Sequence, residues 1–254
     1  MSKYKLVLLF CLLLFITLPS QRIKAEDFIS DSPKKLPQNL ILNFVSRYIF
    51  RGCDVLCDDK PAFQPTYTVF AGESGFWFNI WGSLALEDRE KQKIWDEVDF
   101  TTNYDGYFNP HLNYKTGLTV FAYPRKDQVS LEVYFGISLQ KIFFSPDLTF
   151  YYDFIHGDNG YVLLTLNRSF PIAKQNLIFN CSAGYNNGQY ITGRAVSDIN
   201  FSLSLPIKRH SLTFIPTLNY VITFPVTSRQ YKDAALKAND EDEFWASLGI
   251  SYDF

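Results

Sequence analysis

The segment EFWASLGISYDF, residues 243–254, alternates between two faces without a break up to its last residue. Its even-numbered residues, from Phe244 to Phe254, are apolar or aromatic, and the odd-numbered ones are mostly small or polar. A period of two over this length is that of a β-strand with one apolar and one polar face. The segment therefore predicts an amphipathic strand that finishes on its apolar face.

This ending resembles the C-terminal strand of bacterial outer-membrane β-barrels, which the barrel-assembly machinery recognises by a terminal Phe and by apolar or aromatic residues at alternate positions before it. The resemblance implies an assembly signal at Leu248, Ile250, Tyr252 and Phe254. It also implies outer-membrane lipid and lipopolysaccharide as surroundings. Chance alternation is the competing interpretation, and the rest of the chain decides between them.

The N-terminus predicts a secretory signal peptide at residues 1–25. Two lysines precede an apolar run from Leu6 to Leu18, and the triplet ending at Ala25 fits a cleavage site. The run is shorter than the roughly 20 residues that a spanning helix needs. Since no comparable run follows, a mature protein in a membrane would be there as a barrel. The polar residues 26–38 predict a periplasmic N-terminal segment.

Composition excludes some partners and favours a membrane. The chain carries 24 Lys and Arg against 26 Asp and Glu, and the signal peptide removes basic residues only, so the mature chain is acidic and a poor nucleic-acid binder. Aromatic residues make up 17% of the chain, which suits the aromatic girdles of membrane barrels. The mean hydropathy of −0.07 is compatible with such a barrel, because half of each strand faces water.

Beyond residue 38 the sequence divides into short alternating segments, of which 129–140 is the clearest. An even number of strands is typical of single-chain bacterial barrels. The prediction is a 12-stranded antiparallel up-and-down transmembrane β-barrel over residues 39–254. Its strands are expected at 39–50, 62–71, 75–86, 94–105, 112–123, 129–140, 147–156, 160–169, 176–186, 196–205, 211–224 and 243–254.

Two features refine this barrel. Connections after even-numbered strands are tight and three of those after odd-numbered strands are long and charged, which assigns the tight turns to the periplasmic side. Pro216, and to a lesser degree Pro65, lies inside a predicted strand, where a closed barrel has no free edge. Each proline therefore requires a bulge or a shifted strand boundary.

Several motifs together resemble the TorF-like porins of proteobacterial outer membranes, a family of conserved proteins of unknown function. The resemblance covers most of the mature chain and implies a barrel and the label porin. Two departures are Arg47, where the family usually has an acidic residue, and the pair Cys53 and Cys57. The motifs are SRYIFRG (46–52), KPAFQPTYTV (60–69), GFWFNIWGS (75–83), EVDFTTNYDGY (97–107), GLTVFAYP (117–124), LEVYFGIS (131–138) and FSPD (144–147).

If the apolar faces meet lipid, the charged residues on the opposite faces line the lumen. These either pair with one another to fill a narrow barrel or leave unpaired acids that attract cations. The two interpretations overlap. The expected lumen-lining residues are Arg47, Glu97, Asp99, Lys115, Glu132, Asp153 and Asp198.

Cys53 and Cys57 flank a short turn, and in an oxidising compartment they are candidates for a small-loop disulfide. Two free thiols, or a metal site completed by Asp54, Asp58 and Asp59, are the alternatives. The pattern indicates no cofactor.

Three functions remain open. A passive channel for small hydrophilic solutes or ions through a mildly acidic lumen leads, and a plugged barrel with a structural or surface role follows. A lipid hydrolase is the third, and would need a Ser near an oriented His. His156 is the one His at an outer strand end, and no Ser lies beside it in its own segment. The sequence therefore favours a protein that is not an enzyme.

Overall fold

The computed structural model describes residues 36–56, 60–87, 95–189, 193–224 and 242–254. The predicted signal peptide and most of the predicted periplasmic segment lie outside these residues. No helix in the described ranges is long and apolar enough to cross a membrane. What these ranges form is an all-β structure.

Twelve long strands run antiparallel to their neighbours, in the order that the alternation predicts. Each pairs with the strands next to it in sequence, as expected when successive antiparallel strands are joined by short turns. Three short strands, β2, β3 and β13, accompany the twelve long ones. In chain order the strands are β1 (Gln38–Val45), β2 (Ile49–Phe50), β3 (Cys53–Asp54), β4 (Ala62–Phe70), β5 (Phe76–Ala85), β6 (Glu97–Asn109), β7 (Leu112–Tyr123), β8 (Gln128–Leu139), β9 (Asp147–Asp153), β10 (Asn159–Ile172), β11 (Gln175–Asn186), β12 (Ala195–Ser204), β13 (Ile207–Arg209), β14 (Leu212–Thr223) and β15 (Glu243–Asp253).

The sheet closes on itself into a 12-stranded antiparallel barrel. β15 pairs with both β1 and β14, so the first and last strands of the barrel meet at one seam. Short β13 continues the line of β12 alongside β14, and β2 and β3 pair with each other and not with the strands of the barrel wall. The predicted fold class is confirmed. Closure leaves no exposed edge, so every barrel strand has partners on both sides.

The prediction of a bulge or a shifted strand boundary at each proline is wrong: both prolines lie inside their strands in unchanged register, where one neighbouring ladder is interrupted. Pro216 faces the break between β12 and β13, and its carbonyl still accepts a hydrogen bond from the Leu205 amide at 3.1 Å. Pro65 lies where the pairing of β4 with β5 skips two positions without a change of register. Because a strand residue's N–H and C=O point to the same side, the missing N–H groups fall at these interruptions and the opposite ladders stay intact.

The barrel has an apolar outside and a polar inside, the reverse of a soluble protein. Large apolar side chains such as Phe78, Phe135 and Leu218 are exposed, and they alternate along their strands with buried polar ones. The buried polar residues include Asn103, Thr149 and Asp153. An exposed apolar belt around a closed barrel is stable where it meets lipid.

Several predicted strand ends differ from the observed ones by about three or four residues, and the largest departure is in the first strand. The first strand was expected to reach residue 50, but β1 ends at Val45, which is opposite the first residue of β4 (Ala62). The last backbone hydrogen bond along this edge runs from the Ser46 amide to the Ala246 carbonyl. Beyond it, neither β4 nor β15 pairs with the residues that follow β1. The chain therefore leaves the wall at this point.

Candidate functional site

Residues 48–55, called here the lumen hairpin, fold into the barrel. Its two short strands pair Ile49 with Asp54 and Phe50 with Cys53, and the Val55 amide bonds the Tyr48 carbonyl at 2.9 Å. Gly52 makes the turn at a φ of 75°, a backbone conformation that L side chains rarely adopt. The hairpin is thus an inward extension of the connection between β1 and β4.

The contacts of the lumen hairpin run round the barrel wall. Tyr48 packs on Trp81 of β5, with ring centroids 5.4 Å apart, and donates a hydrogen bond to Glu97 of β6. Phe50 packs edge-on against Phe121 of β7. A segment that touches these strands, and also β8, β9, β10 and β12 as described below, can lie only inside the ring.

Arg51 is the centre of the hairpin's attachment. Its guanidinium donates two hydrogen bonds to the carboxylate of Glu132 on β8, at 2.7 and 2.8 Å, and a third to the side-chain oxygen of Gln189. Its guanidinium carbon Cζ lies 4.6 Å from the ring centroids of both Tyr151 on β9 and Tyr161 on β10. A bidentate pair between an arginine and a carboxylate fixes orientation as well as distance.

The environment keeps Arg51 charged. Burial by itself would lower the pKa of its guanidinium, but the charge of Glu132 and its hydrogen bonds outweigh burial and raise that pKa above its ordinary value. Gln189 completes the group by donating to Glu132 at 2.8 Å. Since both charges are almost fully enclosed, each depends on the other for compensation.

Gly52 seats the hairpin tip against the far wall. A methyl group placed on Gly52 would lie 2.8 Å from the Cβ of Asp198 on β12, so only a glycine allows this approach. Asp198 accepts hydrogen bonds from Tyr161, Ser197 and Asn200. The hairpin therefore packs against a carboxylate that the wall itself already satisfies.

A cavity of about 580 Å³ lies in the lumen against the hairpin. Its lining mixes polar groups with aromatic rings from β5, β7, β9 and β10. Of its four charged side chains, one is basic and three are acidic. The lining residues are Ile49, Phe50, Arg51, Thr66, Trp77, Asn79, Trp81, Asp99, Thr101, Thr119, Phe121, Glu132, Tyr151, Tyr161, Leu163, Ser182, Asp198 and Asn200.

Asp99 differs from the other acids of this cavity. Its Oδ1 is buried and has no hydrogen-bond partner among the described residues. Glu132 and Asp198, in contrast, accept the hydrogen bonds given above. A carboxylate oxygen without a donor favours the approach of a cation or a hydrogen-bonding solute.

The structure places the other expected lumen residues at separate points. Glu97 is buried at the start of β6, and Lys115 pairs with Asp147 at 2.9 Å. Asp153 is enclosed, and its Oδ1 accepts bonds from the Ser130 hydroxyl and from the amides of Ile155 and Gly157. It therefore caps the turn that follows β9.

Arg47 lies beyond the end of β1, where it pairs with Glu243 of β15. It was predicted on the inward face of a longer first strand, and the early end of β1 removes that strand position. The charge that reaches the cavity from this part of the chain belongs to Arg51.

Sequence reasoning missed Tyr48 and Arg51 because it assigned residues 39–50 to one strand and the following residues to a loop, and it missed Gln189 because that residue lies in the loop expected between strands 176–186 and 196–205. One signal was available. Ser46 falls on the apolar face of the expected first strand and breaks its alternation. An Arg-Gly pair follows within a few residues and suits a tight turn.

The candidate catalytic residue His156 is not arranged for hydrolysis. Its backbone amide donates to the Ser130 hydroxyl at 3.1 Å, and that hydroxyl donates to Asp153. Ser130 is fully buried, and its hydrogen bonds join the Asp153 carboxylate to the His156 backbone amide, whereas a serine nucleophile needs a base beside its hydroxyl. This trio caps a turn.

Cys53 lies in β3, with its sulfur 3.8 Å from the Arg51 carbonyl oxygen. Cys57 lies outside the described residues, so the disulfide stays a prediction. Within the described ranges, no cluster of three or more His, Cys, Asp or Glu could hold a metal ion.

The predicted assembly residues lie on β15 at the seam. Leu248, Tyr252 and Phe254 are exposed on the outward face, and the rings of the last two meet at 4.7 Å. Ile250 shares this face at a half-buried position.

Known proteins resemble this chain in sequence family and in fold. A family described as "Bacterial protein of unknown function (Gcw_chp)" matches residues 28–251. A comparison with curated proteins found no match. Among solved structures, the KdgM porin in complex with disordered oligogalacturonate is 12% identical with a TM-score of 0.53, over 86% of this chain and 99% of that one.

Two further structures are similar. The NanC porin is 12% identical with a TM-score of 0.52, over 84% of this chain and 98% of that one. An outer-membrane channel from Pseudomonas putida F1 is 11% identical with a TM-score of 0.51, over 88% of this chain and 97% of that one. At these identities the likeness is one of fold. A closed 12-stranded barrel with an apolar belt places the chain in the bacterial outer membrane.

Proposed function

The chain belongs to the Gcw_chp family of bacterial proteins of unknown function, and we propose that it is an outer-membrane channel for small hydrophilic solutes or ions. The observation that carries the proposal is the cavity of about 580 Å³ inside the barrel, with polar walls and the lumen hairpin along one side. A barrel filled only for stability would have little reason to keep such a space. The resemblance to TorF-like porins supports the same function.

The lumen hairpin is the constriction of this channel. It reaches the cavity with Ile49, Phe50 and Arg51 and is attached to the wall mainly through Arg51. A loop folded into a barrel narrows the lumen without changing the wall, and its side chains then set what passes.

The charges of the cavity favour cations and neutral solutes over anions. Arg51 is compensated by Glu132, so it offers little net attraction to an anion. Asp99 keeps one oxygen without a donor, and Asp198 adds a further acid. Small hydrophilic solutes are the proposed cargo, with lipopolysaccharide, outer-membrane lipid and the barrel-assembly machinery as the proposed partners.

A plugged barrel with a structural or surface role is the second candidate. The observation that favours it is the number of wall strands that the hairpin touches, from Trp81 on β5 to Asp198 on β12. Such contacts stabilise a stopper as well as a constriction.

Planar-bilayer recording separates the two. Purified, refolded protein should give discrete current steps, and a variant in which residues 48–55 are replaced by a short Gly-Ser linker should give larger ones. A silent natural protein whose hairpin-deleted variant conducts would establish the plugged barrel. Silence from both, with heat-modifiable folding intact, would reject the channel.

A further inference from the structure

Three successive turns at one end of the barrel carry a surface of their own. They follow β8, β10 and β12, and they lie at the end of the barrel where β1 begins and β15 ends. The tight turns of bacterial barrels face the periplasm, so this end meets the inner leaflet of the outer membrane.

The basic residues of these turns are exposed. Lys141 follows β8, Lys174 follows β10, and Lys208 and Arg209 lie on β13 in the turn after β12. None of the four pairs with a carboxylate in the part of the chain that the structure describes. The segments 140–146, 173–174 and 205–211 contain no acidic residue.

The other two turns at this end differ. Residues 71–75 carry Glu73 and no Lys or Arg, and residues 110–111 are Pro and His. Among the five turns that the structure describes at this end, Lys and Arg are therefore confined to one sector of the rim, while exposed aromatic residues such as Tyr107 and Phe108 lie in the other sector. A general interfacial girdle does not account for a charge on one side only.

Apolar side chains accompany the basic ones in the sector. Ile142, Phe143 and Ile172 are all exposed. The guanidinium of Arg168 donates to the Phe143 carbonyl at 2.9 Å and stacks 4.0 Å from that residue's ring, which joins the first turn to β10. Apolar tips beside cationic ends suit a membrane interface, where the tips enter the acyl region and the charges stay at the headgroups.

We propose that this sector binds the headgroups of anionic phospholipids in the inner leaflet. Successive turns are separated by two strands, or roughly 10 Å, which is about one screening length at 0.1 M salt. The cations of neighbouring turns thus act together on a negative surface. The occupant is identified by charge complementarity and by the apolar tips, and the site does not depend on whether the lumen conducts.

The test is lipid retention by the full purified chain in neutral detergent, counted by native mass spectrometry with phosphatidylglycerol and phosphatidylcholine as the probes. The natural protein should prefer phosphatidylglycerol by about tenfold or more, as several cations at an anionic surface would give. The triple variant Lys141→Gln, Lys174→Gln, Lys208→Gln should lose most of this preference, and 0.5 M salt should weaken it by screening, as expected where the screening length falls well below roughly 10 Å.

Two controls define the result. The triple Lys→Arg variant at the same positions should keep the preference, and Lys126→Gln in the turn at the opposite end should leave it unchanged. Equal retention of both lipids by the natural protein, or an unaltered preference in the Gln variant, would overturn the proposal. Retention of soluble glycerol phosphate to the same extent as phosphatidylglycerol would also overturn it, because the site would then bind a free phosphate and not a membrane lipid.

Discussion

Arg51 and Glu132 are joined across the lumen by two parallel hydrogen bonds, at 2.7 and 2.8 Å, although 81 positions separate them in the sequence. One residue lies at the turn of the lumen hairpin and the other on the barrel wall. Both side chains are almost fully enclosed, at 10% and 3% exposure. This pair is the main polar attachment between the constriction and the wall.

Removing one member of the pair should release the hairpin. Arg51→Ala leaves the Glu132 charge buried without compensation, a change that typically costs about 3–5 kcal/mol. Since about 1.4 kcal/mol is a factor of ten, the docked hairpin should lose at least about a hundredfold in population relative to undocked forms. We expect larger and noisier single-channel currents than those of the natural protein.

Arg125→Ala is the control for this experiment, because it breaks an ion pair that contains no hairpin residue, the pair between Arg125 and Asp96 at 2.9 Å. Its conductance should equal that of the natural protein. The double variant Arg51→Ala, Glu132→Gln should show less disturbance than Arg51→Ala alone, since no uncompensated charge remains. Identical currents from Arg51→Ala and the natural protein would show that the hairpin does not set the conductance.

The glycine at the hairpin tip gives an independent prediction. Gly52→Ala forces a side chain into a left-handed backbone conformation, at about 1–2 kcal/mol, and also places a methyl group 2.8 Å from the Cβ of Asp198. Gly72→Ala is the matched control, because Gly72 has a φ of 60° and open space around it. The first variant should raise the conductance and the second should not. Equal effects would assign the change to backbone strain and not to seating of the tip.

Selectivity should depend on Asp99. Glu97→Gln with Asp99→Asn is expected to lower the cation over anion preference in reversal-potential measurements while the barrel stays folded. Most of the effect should come from Asp99→Asn alone, because Glu97 already accepts a hydrogen bond from Tyr48 and Asp99 keeps an unpartnered oxygen.

Asp153→Asn separates pore charge from structural charge. Asp153 accepts several hydrogen bonds in the turn after β9. Its replacement should therefore lower the free energy of unfolding by about 1–3 kcal/mol without changing the reversal potential.

The Asp99 prediction has its own contrary outcome. An unchanged selectivity in the Asp99 variants, with conductance intact, would mean that the Asp99 carboxylate does not act as part of the filter.

The sequence predicts the wall better than the lumen, for a physical reason. Alternation with a period of two reports which face of a strand meets lipid, and it persists through β7 and β8, whose observed bounds agree with the expected ones to within one residue. At Pro65 and Pro216 the sequence predicted a disturbance, since proline lacks the amide that a ladder requires, but the structure accommodates each proline by a gap in one ladder and not by the expected bulge or shifted boundary.

The lumen hairpin could not be predicted in this way. Tyr48 and Phe50 continue the apolar face of the expected first strand, yet Phe50 lines the cavity and Tyr48 donates a hydrogen bond to the buried Glu97. Their direction is decided by where the partners of β1 begin and by Arg51 reaching Glu132, which are contacts between residues far apart in the chain. A one-dimensional pattern contains neither.

The C-terminal residue gives the last prediction. The Phe254 amide donates a hydrogen bond to the Gln38 carbonyl at 3.0 Å and its ring packs on Tyr252, so deleting Phe254 removes at least this hydrogen bond and this ring contact at the seam. Together these are worth roughly 1–3 kcal/mol, a loss that a closed barrel with twelve paired strands should tolerate. Refolding of the deleted variant in detergent should therefore be nearly normal.

If the assembly machinery recognises the terminal Phe, the amount of the heat-modifiable form in the outer membrane of cells should fall several-fold. Phe244→Ser is the control, because Phe244 is exposed on the same strand at its opposite end, and it should assemble normally. Equal loss in both variants, or poor refolding of the deleted chain in vitro, would point to barrel stability and not to recognition.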